Sequence, residues 1–142
     1  MKDAVDNIVV FFETLTPHSV ALLGQLYTDD AYFKDPFNEV RGLSAVQGVY
    51  SHMYRALENP RFVITARVVQ ADQCFLSWDF KFRFKSFDRQ TEQTVRGGSH
   101  LLLAEDGRIR SHRDYWDVAE ELYEKLPVLG SLMRWLKRRA SR

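Results

Sequence analysis

The sequence predicts an α+β domain in which three helices precede a sheet of four long antiparallel strands plus a short one. Two observations carry this reading. Apolar residues recur at helical spacing as far as Leu57, and from Arg61 onward alternation at strand spacing replaces it. A third observation sets the scale: 142 residues, 45% of them apolar, with a net charge of +1, suit one domain able to bury its own core.

Val5, Ile8, Val9, Phe12 and Leu15 predict a first helix over residues 3–15. Pro17 restarts the chain, and a second short helix carries Val20, Leu23, Leu26 and Tyr27 inward before Thr28, Asp29 and Asp30 end it. Residues 31–37 read as the short strand, stopped by Pro36. A third helix starts at Gly42 and Ser44. Ser44 and Gln47 have the spacing of a capping box, and Leu43, Val46, Tyr50, Met53 and Leu57 form its buried stripe as far as Pro60. Strands are then expected over 61–69, 74–86, 93–104 and 108–116. In the second of these, Cys74, Leu76, Trp78, Phe80, Phe82 and Phe84 alternate with a mostly polar set that includes Ser77, Asp79, Lys81 and Arg83. One face of the sheet is therefore covered and the other is wetter. Gly97 and Gly98, inside a strand, read as a bulge or bend that curves the sheet.

Residues 117–142 extend the domain as a helical tail broken by Pro127 and Gly130. Leu129, Leu132, Met133 and Leu136, with Trp135 beside them, form a stripe expected to pack across the domain or on a neighbouring subunit. Arg134, Lys137, Arg138, Arg139 and Arg142 make this end basic, and removing those five charges from +1 leaves −4 on the rest. Such an end reads as a solvated helix terminus, or as a weak contact for a membrane surface or an acidic partner. A near-neutral net charge, with no aromatic-basic platform beyond this tail, gives little nucleic-acid footprint.

Cys74 stands alone, so no disulfide forms within the chain. With acidic residues near the start and no apolar run of roughly 20 residues, a cytoplasmic protein is expected. The four histidines (His18, His52, His100 and His112) show no metal-ligand spacing, and no glycine-rich phosphate loop is present. No metal or cofactor is therefore expected.

Residues 105–117 form a turn and a strand that put His112, Asp114 and Trp116 on one face and Ile109, Ser111, Arg113 and Tyr115 on the other. The first set reads either as a polar-tipped apolar pocket or as a hydrogen-bonded pair in a core. Asp35, between Phe33 and Phe37 and before Pro36, reads as a carboxylate beside an apolar cavity or as a turn cap. Asp79 reads as a surface charge, unless its strand face is the inward one.

This layout, with residues 27–37, Gly42 and the helix behind it, and the stretches 106–109 and 112–117, resembles the nuclear transport factor 2-like superfamily in its SnoaL-like and ketosteroid isomerase-like branch. The resemblance implies a curved sheet wrapped around helices into a cone, a small apolar ligand in its mouth, and a homodimer through the sheet's outer face. It also implies a base at Asp35. The oxyanion donors of those isomerases would fall at Phe11 or Phe12 and at Ser99, and a phenyl ring has no proton to donate. The last strand is similar to that of limonene epoxide hydrolase, which places a carboxylate pair at Asp114 and Asp79. The arginine between them is Ser77 here, and the water-holding tyrosine and asparagine are Phe33 and Asp35. The expectation is a small-molecule enzyme with acid–base chemistry at Asp35, His112, Asp114 or Asp79. Phe12, Phe33, Phe37, Tyr50, Trp116 and Ser99 would then contact the ligand. The alternative is a non-catalytic binding or interaction module of the same fold.

Overall fold

The computed structural model describes residues 1–86 and 88–141. The chain runs α1 (Lys2–Glu13), a 3-10 helix (Pro17–Gln25), β1 (Tyr27–Lys34), β2 (Glu39–Arg41), α2 (Leu43–Ala56), β3 (Leu57–Gln70), β4 (Gln73–Phe84), β5 (Gln93–Leu103) and β6 (Ile109–Tyr115). It ends with α3 (Val118–Glu121), a 3-10 turn (Tyr123–Lys125) and α4 (Pro127–Ala140). Six strands form one curved, unclosed sheet in the order β2-β1-β6-β5-β4-β3. All neighbours are antiparallel except β1 and β6, which run parallel. The parallel pair and the added strand β2 depart from the expected all-antiparallel sheet. No helix among the described residues is long and apolar enough to cross a membrane.

The core lies between the concave face of the sheet and the helices. Val5, Ile8, Val9 and Phe12 of α1, Leu23 of the 3-10 helix, and Val46 and Tyr50 of α2 meet Leu76, Leu101, Leu103 and Ile109. α1 also protects the outer edge of the sheet at β3. Glu13 accepts the Ile64 N–H at 3.0 Å beside a break in the β3–β4 register, and Asp6 pairs with Arg67 at 2.5 Å. An edge amide that could template another chain is thereby occupied.

Several local expectations change for physical reasons. Tyr27 to Asp30 belong to β1 and not to a helix, because the 3-10 helix ends at Gln25 and the strand begins two residues later. The capping box of α2 does not form. Gly42 is the N-cap, Ser44 lies inside the helix, and Gln47 donates instead to the Val20 carbonyl at 3.1 Å. A capping box does form at Thr16 and Ser19. Ile109 points into the core and not outward with Ser111. An irregularity between Leu102 and Leu103 inserts Arg110 into the β6 register, and one inserted residue reverses the facing of what lies beyond it.

Gly97 and Gly98 are no bulge, since they pair continuously with Trp78 and Ser77. They are needed for close approach. A Cβ on Gly97 would come within 2.6 Å of the Trp78 ring and 2.9 Å of Trp116, and one on Gly98 within 2.3 Å of the Phe75 ring.

The C-terminal extension leaves much of its apolar stripe uncovered, with Leu129 and Met133 half-buried. α4 contacts the 3-10 turn and α3, while Leu132, Trp135 and Leu136 remain exposed. What holds the extension is the edge of β5 beyond the end of β6. Glu121 accepts from the Arg96 backbone N–H at 2.9 Å and from its guanidinium at 2.6 and 3.2 Å, while Lys125 donates to the Thr94 carbonyl at 2.5 Å. Side chains thus continue the ladder that β6 stops providing. Burial alone pushes the Glu121 carboxyl up, but the Arg96 hydrogen bonds and charge outweigh it and hold the group below its ordinary range. A carboxyl held low in the folded state stabilises fully above about pH 4.3 and loses that contribution as the pH falls through the lowered value. Protection of the Arg96 amide and of residues 118–125, taken relative to the intrinsic exchange rate at each pH, is therefore expected to fall only in that acid range, and Glu121→Gln to show the lower protection already at neutral pH. Unchanged protection in Glu121→Gln would remove the anchor from this account.

Candidate active site

Alternation along β4 decides which face is covered. Leu76, Trp78, Phe80, Phe82 and Phe84 line a cavity of about 330 Å³, closed on the opposite side by Val49, Tyr50, Met53 and Ala56 of α2. This volume lies in the range of small-molecule sites. The aromatic face is thus the wall of the cavity. Asp79 sits on the other side of β4, opposite Val63 and Arg96, and does not line the cavity. Its expected partnership with Asp114 is corrected accordingly, because adjacent strand positions cannot both face inward.

His112, Asp114 and Trp116, at alternate positions around the end of β6, all line the cavity, as do Phe12, Phe33, Phe37, Tyr50 and Ser99. The register of the sheet assembles the polar end. Leu101 and Ser99 of β5 stand opposite His112 and Asp114, and Phe33 of β1 stands beside His112. His112, 3% exposed, is enclosed by Phe33 with ring centroids 4.7 Å apart, by Phe12 at 5.9 Å, and by a stacked Tyr27 at 5.9 Å.

An unbroken chain of hydrogen bonds runs through this end. Trp78 Nε1 donates to Ser99 Oγ at 2.9 Å, and Ser99 Oγ donates to Asp114 Oδ1 at 2.5 Å. His112 Nε2 lies 2.6 Å from the same oxygen, His112 Nδ1 lies 2.6 Å from the Tyr27 hydroxyl, and that hydroxyl lies 2.8 Å from the Tyr50 hydroxyl. Nothing among the described residues donates to Asp114 Oδ2.

The chemistry of each group sets the direction of the protons. A carboxylate only accepts, so Nε2 carries a hydrogen and donates to Asp114. Burial pushes both phenols well above their ordinary value, with Tyr50 adding to the shift at Tyr27, so each keeps its proton. With neutral His112, Nδ1 accepts from Tyr27 and Tyr27 accepts from Tyr50. With cationic His112, Nδ1 donates and both phenols turn over, which frees the Tyr50 hydrogen from Tyr27. The charge of one buried imidazole therefore sets the direction of the hydrogen bonds through both phenols.

Asp35 also borders the cavity, but its carboxylate is occupied. Oδ1 accepts from the Phe37 N–H at 2.8 Å, the Asn38 N–H at 2.7 Å and Asn38 Nδ2 at 3.1 Å, which makes it the organiser of the turn around Pro36. That turn sets Phe37 edge-on to Trp116, with centroids 5.7 Å apart. His52 lies on the cavity, whereas His100 bonds Gln73 at 2.8 Å and does not line it, so the two do not meet. No group of side chains among the described residues could hold a metal ion.

Sequence reasoning missed Tyr27 and the Trp78 N–H as members of the polar network. A phenol and an indole at inward positions were the available signal, because each needs a partner once buried.

A curved sheet closing over helices around an apolar pocket with one polar end defines the nuclear transport factor 2-like, ketosteroid isomerase-like class of fold. The chain belongs to the SnoaL-like domain family, whose model matches residues 8–112. Among solved structures it is similar to a Catenulispora acidiphila protein of ketosteroid isomerase-like fold in complex with trimethylamine, at 19% identity and a TM-score of 0.70, covering 84% of this chain and 88% of that one. It is also similar to a Jannaschia protein named as a SnoaL-like polyketide cyclase, at 12% identity and a TM-score of 0.71, with the same coverage of 84% and 88%. A third is a limonene epoxide hydrolase-like epoxide hydrolase of M. tuberculosis, at 15% identity and a TM-score of 0.65, covering 84% of both chains. A search of curated proteins finds no match.

Tyr27→Phe leaves His112 Nδ1 without its hydroxyl partner and the Tyr50 hydroxyl without one of its own, which should cost about 1–3 kcal/mol in urea unfolding. Ultraviolet titration should show no phenolate from Tyr27 or Tyr50 up to about pH 11. Removing either hydroxyl should then leave the absorbance step of the folded protein unchanged.

Proposed function

We propose that this protein is a small-molecule enzyme that moves a proton on an apolar, oxygen-bearing ligand held in the cavity, with Asp114 as the acid–base group. The observation that carries the reading is the asymmetry of that carboxylate. Oδ1 is fixed by Ser99 and His112, while Oδ2 has no donor among the described residues, on the wall of an apolar cavity. A base works best when held rigidly beside a site from which water is largely excluded. Oδ2 takes a proton from a ligand carbon or from a water aimed at the ligand. The same oxygen then returns a proton to a neighbouring atom, so that the carboxylate is regenerated. His112 is a positioning residue in this scheme, holding Asp114 and controlling Tyr50. Negative charge that develops on a ligand oxygen would be met by the Tyr50 hydroxyl when His112 is cationic. Isomerisation, cyclisation and hydration all fit this division of labour. Asp35 serves the turn and not the proton transfer.

The test is to incubate the protein in heavy water with a panel of hydrophobic cyclic ketones and epoxides, following carbon-bound hydrogen exchange and ring opening by NMR. Wild type should exchange or open at least one member, Asp114→Asn should lower that rate by roughly 100-fold or more, and Asp35→Asn should leave most of it. If wild type binds a panel member tightly without turnover, and Asp114→Asn binds it equally well, the protein is a non-catalytic binding module.

A further inference from the structure

α4 touches only the 3-10 turn and α3, and much of its apolar side is left uncovered. On a helical projection, Leu132, Trp135, Leu136 and Arg139 share one side, with Gly130, Arg134 and Lys137 on the other. An ordinary surface helix would bury the first set. Here Gly130, Arg134 and Lys137 touch the protein at Glu124, Leu129 and Met133 are half-buried, and the rest of residues 131–141 is exposed. Gly130 is buried against the Glu124 carbonyl so closely that a Cβ would come within 2.3 Å of it. Arg134 donates to the same carbonyl at 2.5 Å, and Lys137 lies 3.4 Å from the Glu124 carboxylate. Leu132 is left 48% exposed, Trp135 49% and Leu136 45%.

Charge narrows the choice of what covers this stripe. α4 contains no acidic residue, Arg138 and Arg139 form no ion pair among the described residues, and the chain without its last nine residues carries −4 against their +5. An anionic surface would attract this end and repel the rest, which orients the molecule as well as binding it. The Arg139 guanidinium lies 5.6 Å from the centre of the Trp135 ring. An indole under a cation, beside two exposed leucines, is the arrangement that suits the boundary between headgroups and acyl chains. A convex stripe of three side chains on a single helix also matches a deformable lipid surface better than a preformed groove.

We infer that α4 is an interfacial anchor that lays Leu132, Trp135 and Leu136 into the surface of an anionic bilayer while Arg138 and Arg139 engage its phosphates. Leu122 lines the cavity, and the adjoining 3-10 turn carries α4, so an anchored molecule holds its cavity close to the lipid.

The experiment uses the full chain with vesicles of phosphatidylcholine alone or mixed with phosphatidylglycerol, read by co-sedimentation and tryptophan emission. Binding is expected only to the anionic vesicles, with a blue shift that Trp135→Phe abolishes while binding persists. Raising the salt to about 1 M should release the protein. Leu132→Ser with Trp135→Ser and Leu136→Ser, and separately Arg138→Glu with Arg139→Glu, should each weaken binding roughly tenfold or more. Circular dichroism and thermal unfolding matching wild type show that these exposed changes leave the fold intact. Failure of wild type to bind anionic vesicles overturns the inference, as does retention of full affinity by the serine variant. Two other results also overturn it: gel filtration in which the serine variant converts a dimer to a monomer, or wild type binding polyglutamate but not vesicles.

Discussion

The organisation of the polar end depends on one buried imidazole that is hydrogen-bonded at both nitrogens. His112 has aromatic rings around its faces and oxygen partners at its two edges, so its orientation is fixed by packing and by polar demand together. Because β1 runs parallel to β6, the strand that supplies Phe33 also supplies Tyr27, and both reach the same ring. Because β5 is antiparallel to β6, Ser99 falls opposite Asp114 and closes the other side. Remove the imidazole and the Tyr27–Tyr50 phenol pair is cut off from the Asp114 carboxylate and the serine bonded to it. Few positions in a small domain carry so many dependent partners.

The rest of the fold can be seen as making room for that end without letting water fill it. The inward row of β4 is aromatic over most of its length, with Phe62 of β3 bridging Trp78 to Phe80 and ring contacts running on through Phe82 to Phe84. These rings give the cavity a stiff apolar wall, against which a single carboxylate is chemically conspicuous. The open edges of the sheet are handled locally, by α1 at β3 and by Glu121 and Lys125 at the uncovered stretch of β5.

Much of this was legible in the sequence because it rests on periodicity. The alternation of Leu76, Trp78, Phe80 and Phe82 announced a covered face, and the spacing of His112, Asp114 and Trp116 put them on one surface whatever the register. Periodicity does not say which of two faces lines a cavity, and Asp79 could be assigned to the outside only once α2 was seen to lie over the aromatic row. Nor does it see long-range pairing. Tyr27 reads as an apolar helix residue until β1 is placed beside β6, a contact across 85 residues. Asp35 illustrates the opposite failure: its dipeptide with Pro36 was correctly suggestive of a turn, and three donors show how fully that turn uses the carboxylate. The tail misled for a subtler reason. Its amphipathic stripe is genuine, but hydrophobic spacing cannot say how much of the stripe the protein covers, and here Leu129 and Met133 are half-buried while Leu132, Trp135 and Leu136 are exposed.

The paired glycines of β5 carry a consequence for how such a pocket can change. With Gly97 pressed against Trp78 and Trp116, and Gly98 against Phe75, the middle of the sheet is already at contact distance on both faces, so no larger side chain enters there without displacing an indole or a phenyl. The shape of the pocket is therefore set at that point by packing within the sheet, and a substitution that reshapes it falls more readily on the opposite wall, where Val49, Met53 and Ala56 face the cavity from α2.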